Sequence, residues 1–160
     1  MTEDQIDAIR EQLAIAIDGR ESHIDFHSVV KDFPEEARGQ KPAGAPHSAW
    51  QLLEHMRIAQ RDILEFSRNP KHQSPDFPEG YWPKTEAPPN AQAWAQSVNQ
   101  FANDEQEFKD LIETGDLFTP FPHGEGQTLL REALVLAGHN SYHLGQLAFL
   151  KKMLTGGIQA

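Results

Sequence analysis

Four stretches of this chain repeat their apolar residues every three or four positions, and none reads as a strand. That spacing lines up one face of an α-helix, so an all-α fold is expected. The first stretch opens at Thr2, whose hydroxyl can cap a helix, with Gln5 in the reciprocal capping-box position. Ile6, Ile9, Leu13 and Ala16 follow as its core stripe, and Gly19 interrupts it ahead of a shorter helical piece around Phe26 to Lys31. Pro34, Gly39, Pro42, Gly44 and Pro46 then mark a loop.

A second helix is predicted from Ser48, with Gln51 completing another capping box and a stripe of Leu52, Met56, Ala59, Ile63 and Phe66. It should stop near Asn69, because Pro70 disfavours helical geometry in the residue before it. Six prolines between Pro70 and Asn90, with Phe77, Tyr81 and Trp82 among them, make a long loop that reads as a lid or a crossover packed on the body. The third helix runs from about Ala91 to Thr114, with Gly115 as its C-cap. Its stripe is Trp94, Val98, Phe101, Glu105, Phe108 and Ile112. After a loop from Pro120 to Gly126, Thr128 caps a fourth helix that reaches about Leu154, before Gly156 and Gly157. A helix of about 20 residues is about 30 Å long, a length that the Pro70–Asn90 segment can span. Helices two and three could then run parallel with helix four antiparallel to both, an up-down-down-up four-helix bundle forming one domain over residues 1–160.

The chain has 24 acidic and 14 basic residues, a net charge of −10 that repels phosphate backbones and argues against nucleic acid as a partner. No apolar run approaches the ~20 residues of a membrane span, and the acidic start, Met1 to Gln5, is unlike a secretory signal. With no cysteine, thiolate nucleophiles and Cys-based zinc sites are excluded, and a cytoplasmic location is the simplest expectation.

Eight histidines are the compositional feature that points toward chemistry. His139 and His143 are one helical turn apart and can hold one ion together. His143 falls in the apolar row Leu129, Leu136, Leu147, Leu150, and His55 lies near the buried side of the second helix. If the second and fourth helices are neighbours, the three imidazoles can converge. Burying an imidazole leaves two ring nitrogens to satisfy, which a metal on one and an acceptor on the other achieve. Three protein ligands leave positions open for water or substrate, and nitrogen ligation suits Zn, Ni, Fe or Cu. Against this, an i,i+4 histidine pair arises easily by chance among eight, and His23 with His27 forms a second pair in polar surroundings. His47, His72 and His123, beside loop prolines or glycines, are expected in solvent.

The stretch Pro46-His47-Ser48-Ala49-Trp50-Gln51-Leu52-Leu53-Glu54-His55 resembles the second helix of the DinB-like superfamily of metal-binding four-helix bundles. Thr128-Leu129-Leu130-Arg131-Glu132, leading into His139-Asn140-Ser141-Tyr142-His143-Leu144-Gly145-Gln146, is similar to that family's last helix. The resemblance implies a three-histidine site of His55, His139 and His143 holding a divalent metal, with Zn or Ni ahead of Fe. Leu144 stands where many members have Arg. The resemblance further implies a metalloenzyme that activates a thiol or water, as a thiol S-transferase or a metal-dependent hydrolase. The substrate would be a small molecule, with a low-molecular-weight thiol as cosubstrate because the chain has none, and homodimers are common in the family. The alternative is a non-catalytic metal-binding or stress-associated bundle. An HExxH protease is rejected, since Asn140 stands where the glutamate base would be.

Further site candidates follow from helical position. Gln146 shares the face of His139 and His143 and can bond a water or substrate, or equally another helix. Glu105, the one charged residue in its row, can be a general base, an acceptor for a ligand imidazole, or a salt-bridge partner at the stripe's edge. Glu54 points ~100° away from His55 and is left out of the site. Gly138 and Gly145, seven apart, indicate close helix packing or room beside the metal. Trp50, Trp94, Tyr142, Tyr81 and Trp82 are expected as core or loop anchors.

Overall fold

A computed structural model describes residues 1–156. Among these residues there are five α-helices and no strand: α1 (Glu3–Asp18), α2 (Phe26–Val30), α3 (Ala49–Arg68), α4 (Ala93–Thr114) and α5 (Leu129–Thr155). Single 3-10 turns lie at Glu35–Ala37 and Glu79–Tyr81. Gly157 lies outside the described residues.

Local chemistry sets the helix ends. Thr2 with Gln5 and Ser48 with Gln51 each form the full reciprocal box at the heads of α1 and α3. Thr128 accepts from the Arg131 amide at the head of α5, and Asp25 from the Ser28 amide at that of α2. α1 ends on Gly19 at φ 68°, a left-handed conformation that glycine adopts without steric cost. At α4 the start shifts by two residues, and the end falls at Thr114 with Gly115 as its C-cap, as expected. α4 starts at Ala93 because the Asn90 carboxamide oxygen holds the amides of Gln92 and Ala93 in a turn. Gly115 ends it in an extended conformation, with ψ 162°, so this C-cap is not a left-handed one.

The core divides into two apolar clusters. One gathers Leu53, Met56, Phe101, Leu144 and Leu147 with Val29, Val30 and Phe33 of the α2 region. The other gathers Leu13, Ile17, Leu64, Phe108, Ile112 and Leu136. Ile17 occupies the core position expected of Ala16, which is exposed. Between the clusters α5 carries His139, Asn140 and His143, and α3 carries the fully buried Gln60.

Specific contacts tie the helices together. From α3 to α4, Gln60 Nε2 donates to the Phe101 carbonyl at 2.6 Å, Arg61 pairs with Asp104, and Arg68 with Glu107. Residue numbers rise together along these pairs. From α3 to α5 they run oppositely, with His55 against His143 and Gln60 against Asn140. α1 meets α4 through Arg10, which donates to the carbonyls of Ile112 and Gly115, and through the Asp18–Lys109 pair. The proline-rich segment lies back along α3. His72 and the Tyr81 hydroxyl both bond Asp62, Trp50 Nε1 donates to Thr85, and the Ser48 hydroxyl donates to the Glu86 carbonyl.

α5 departs from expectation on its outer side. Gly138 and Gly145 are exposed, and a Cβ on either would meet nothing within 4 Å, so they serve neither packing nor the histidine site. Tyr142 is 65% exposed and anchors no core, whereas Trp50 and Trp94 are buried as expected. No helix among the described residues is long and apolar enough to cross a membrane.

Candidate metal centre

Three imidazoles meet where α3 crosses α5. The side chain of His55 projects from the middle of α3, and those of His139 and His143 from successive turns of α5, toward one point. His55 Nε2 lies 3.1 Å from His143 Nε2 and 3.1 Å from His139 Nε2. One nitrogen from each ring lies within 4.8 Å of the other two, a grouping able to hold one metal ion.

The outer nitrogens decide what the inner ones can do. His55 Nδ1 donates to the Tyr81 carbonyl at 2.9 Å, and His143 Nδ1 donates to Gln146 Oε1 at 2.8 Å. A proton on each Nδ1 leaves each Nε2 with a bare lone pair when the ring is neutral. Burial lowers the pKa of all three rings, His139 to about 4, with the neighbouring His143 and His55 adding to the effect there. Neutral rings therefore present converging lone pairs at 3.1 Å, which repel one another unless a cation lies between them. Even if His139 donates, His55 Nε2 has one lone pair and two nitrogen neighbours. The donor set and the acceptors behind His55 and His143 fit a divalent metal of the borderline kind, while His139 Nδ1 is buried without a hydrogen-bond partner among the described residues.

Around the three rings, the long loop supplies a cover. Trp82 lies flat on His55, with centroids 3.9 Å apart and planes 2° from parallel, and His47 stacks on Trp82 at 3.9 Å. Behind His139, Asn140 Nδ2 donates to Gln60 Oε1 at 2.8 Å, and Gln60 reaches on to α4. This series of hydrogen bonds fixes the turn of α5 that carries His139 and His143.

The remaining candidates lie elsewhere. Glu105 pairs with Lys109, which also pairs with Asp18; the salt-bridge alternative describes it, and burial raises its pKa. Glu54 turns away from the centre and pairs with Arg57. His23 bonds Ser141 Oγ and the Ile24 carbonyl while His27 is exposed, so that i,i+4 pair meets no common partner. His47 and His72 are half-buried, contrary to expectation, held by Trp82 and Asp62; His123 is exposed. Tyr81 and Trp82 act here through a backbone carbonyl and a stacked ring, contacts that leave no trace in residue spacing.

The family model of the DinB superfamily matches residues 20–147. The chain belongs to the DinB superfamily. The matched span contains all three histidines, the whole of α3 and α5 as far as Leu147. In this DinB-superfamily chain Leu144, where many members have Arg, is buried among the apolar side chains of the core beside Leu147. No curated protein and no solved structure matches the chain.

Proposed function

We propose that His55, His139 and His143 bind one divalent metal with open coordination, and that the protein is a metalloenzyme activating a thiol or water. The observation that carries this reading is the pair of outer hydrogen bonds, to Tyr81 O and Gln146 Oε1, which turn bare Nε2 lone pairs inward. Zn or Ni suits three imidazole nitrogens best, and Fe is tolerated. When bound, a divalent ion supplies Lewis acidity that lowers the pKa of a neighbouring thiol or water toward neutrality. The chain's own residues orient and shield: Tyr81 and Gln146 set the ring planes, Trp82 excludes water from one face of His55, and the Gln60–Asn140 bond holds α5 in register. Gln146 is a positioning residue in this scheme. Glu105, engaged by Lys109, has no part in it.

Thiol transfer to a small electrophile, with an external low-molecular-weight thiol, is the favoured reaction, and metal-dependent hydrolysis the second. We further propose one up-down-down-up domain, supported by the pair numbers that rise together along α3 and α4 and fall between α3 and α5. A cytoplasmic location belongs to the same reading, as does a homodimer formed through the exposed Leu134, Val135 and Tyr142 of α5.

Metal content of the purified protein beside His55→Ala, His139→Ala and His143→Ala tests the site. Stoichiometric metal lost in each single variant supports it, and unchanged content in all three removes it. Adding a thiol and an electrophilic test substrate to the loaded protein then separates enzyme from binder. No metal-dependent turnover across thiols, simple esters and amides would favour the non-catalytic reading.

A further inference from the structure

A cavity of about 300 Å³ opens beside the metal centre, between the loop of residues 43–46 and the outer end of α5. Its wall is hydrocarbon and sulfur from Leu52, Phe149, Leu150 and Met153, and among the described residues no Asp, Glu, Lys or Arg lines it. A mainly apolar lining with a few polar groups is the character of small-molecule pockets. Two polar side chains, His47 and Gln146, also line it. Gln146 touches a candidate ligand directly, accepting from His143, and His47 lies two contacts away, stacked on the indole that stacks on His55. The cavity thus shares Gln146 with the histidine site and reaches it at His47 through Trp82.

We propose that this cavity seats an uncharged apolar group, an alkyl chain or a small aromatic ring, of the molecule whose polar head reaches the three histidines. The volume matches the lower range of small-molecule pockets. Phe149 is 65% and Met153 47% exposed, and an apolar guest lying against them removes that surface from water. An anionic or cationic guest would meet no Asp, Glu, Lys or Arg among the described residues of the wall. His47 and Gln146 offer hydrogen bonds at the polar part, where the guest's head group turns toward the centre. The substrate class is therefore hydrophobic and uncharged in its tail, in contrast to a sugar or a phosphorylated metabolite.

This proposal rests on the metal-centre reading only for the position of the head group, and two arms of one experiment keep them separate. In the first, the neutral fluorophore N-phenyl-1-naphthylamine is titrated into metal-free protein. Saturable binding at one site is expected, weakened about tenfold in Ala45→Phe and also in Met153→Trp, a partly exposed position that accepts a larger ring without disturbing the core. No binding, or binding equal in wild type and both folded variants, overturns the proposal. So does binding that fades as protein concentration rises, because a second copy then occupies the cavity. In the second arm, n-alkyl thiols from ethyl to hexyl are titrated into cobalt-loaded protein and followed by absorption. Affinity should rise roughly fourfold per methylene in wild type and stay nearly flat in Met153→Trp. A flat wild-type series overturns the proposal. Failure to take up cobalt counts against the metal centre alone, and the first arm then decides the cavity.

Discussion

The indole of Trp82 covers the His55 imidazole at 3.9 Å with planes 2° apart, while the carbonyl of the preceding residue, Tyr81, accepts from the same ring at 2.9 Å. Two adjacent loop residues thus hold one ring by its face and by its edge, and the loop is itself tied to α3 through Asp62. Removing the face contact should loosen the ring without unfolding the bundle. Trp82→Ala is expected to weaken metal binding about tenfold, read by competition with a chromophoric chelator, with the helical circular dichroism unchanged.

Gln146 accepts from His143 Nδ1 at 2.8 Å and so fixes which nitrogen faces inward. Gln146→Leu removes the acceptor and should cost roughly 10–100-fold in metal affinity. Gln146→Glu keeps an acceptor and should restore most of it. Equal affinity in wild type and Gln146→Leu would remove Gln146 from the site.

Burial pushes His139 from an ordinary 6.5 down to about 4. Between those values the unfolded chain binds a proton that the folded chain excludes, so stability rises with pH. The contribution is complete above about pH 6.5 and is lost as the pH falls toward 4. Urea midpoints of metal-free protein should therefore drop steadily across that window, and less steeply in His139→Asn. Parallel slopes in the two proteins would show that His139 is not the group responsible.

Gln60 is fully buried and bridges three helices, donating to Phe101 O and accepting from Asn140. Gln60→Leu keeps the volume but strands Asn140 Nδ2 and removes the tie to Phe101 O, which should cost about 1–3 kcal/mol in urea unfolding. The adjacent His139 should lose metal affinity as well, because Asn140 no longer holds its turn. A change under ~0.5 kcal/mol would show that the bridge is dispensable.

Gly138 sits exposed within α5 with open space where a Cβ would go. At dilute concentration Gly138→Ala should stabilise the chain by about 0.5–1 kcal/mol, measured as a raised thermal midpoint. If the face of α5 around Tyr142 pairs with a second copy, the same change should weaken the dimer seen by sedimentation.

Residue types and spacing made much of this legible. Caps at Thr2, Ser48 and Thr128 and stripes such as Leu52–Met56 are local matters, settled by hydrogen bonds and helical period within a few residues. The pairing of His139 with His143 is local for the same reason. The equal spacing of His23 and His27 shows the limit: period places two rings on one face but does not say what that face meets. Gly138, Gly145 and Tyr142 are exposed against expectation because α5 is apolar on more than one side, and periodicity there marks no single buried face.

By itself the sequence determined that this chain is helical, where its helices start, and that two imidazoles stand together on the last one. The tertiary structure alone decided that His55 meets them, that the Tyr81 carbonyl and Gln146 turn its lone pairs and those of His143 inward, and that an uncharged cavity opens beside them. The reason is physical: helix formation is governed by neighbours three and four residues away, whereas His55 and His143 are 88 residues apart and meet only when packing brings α3 against α5.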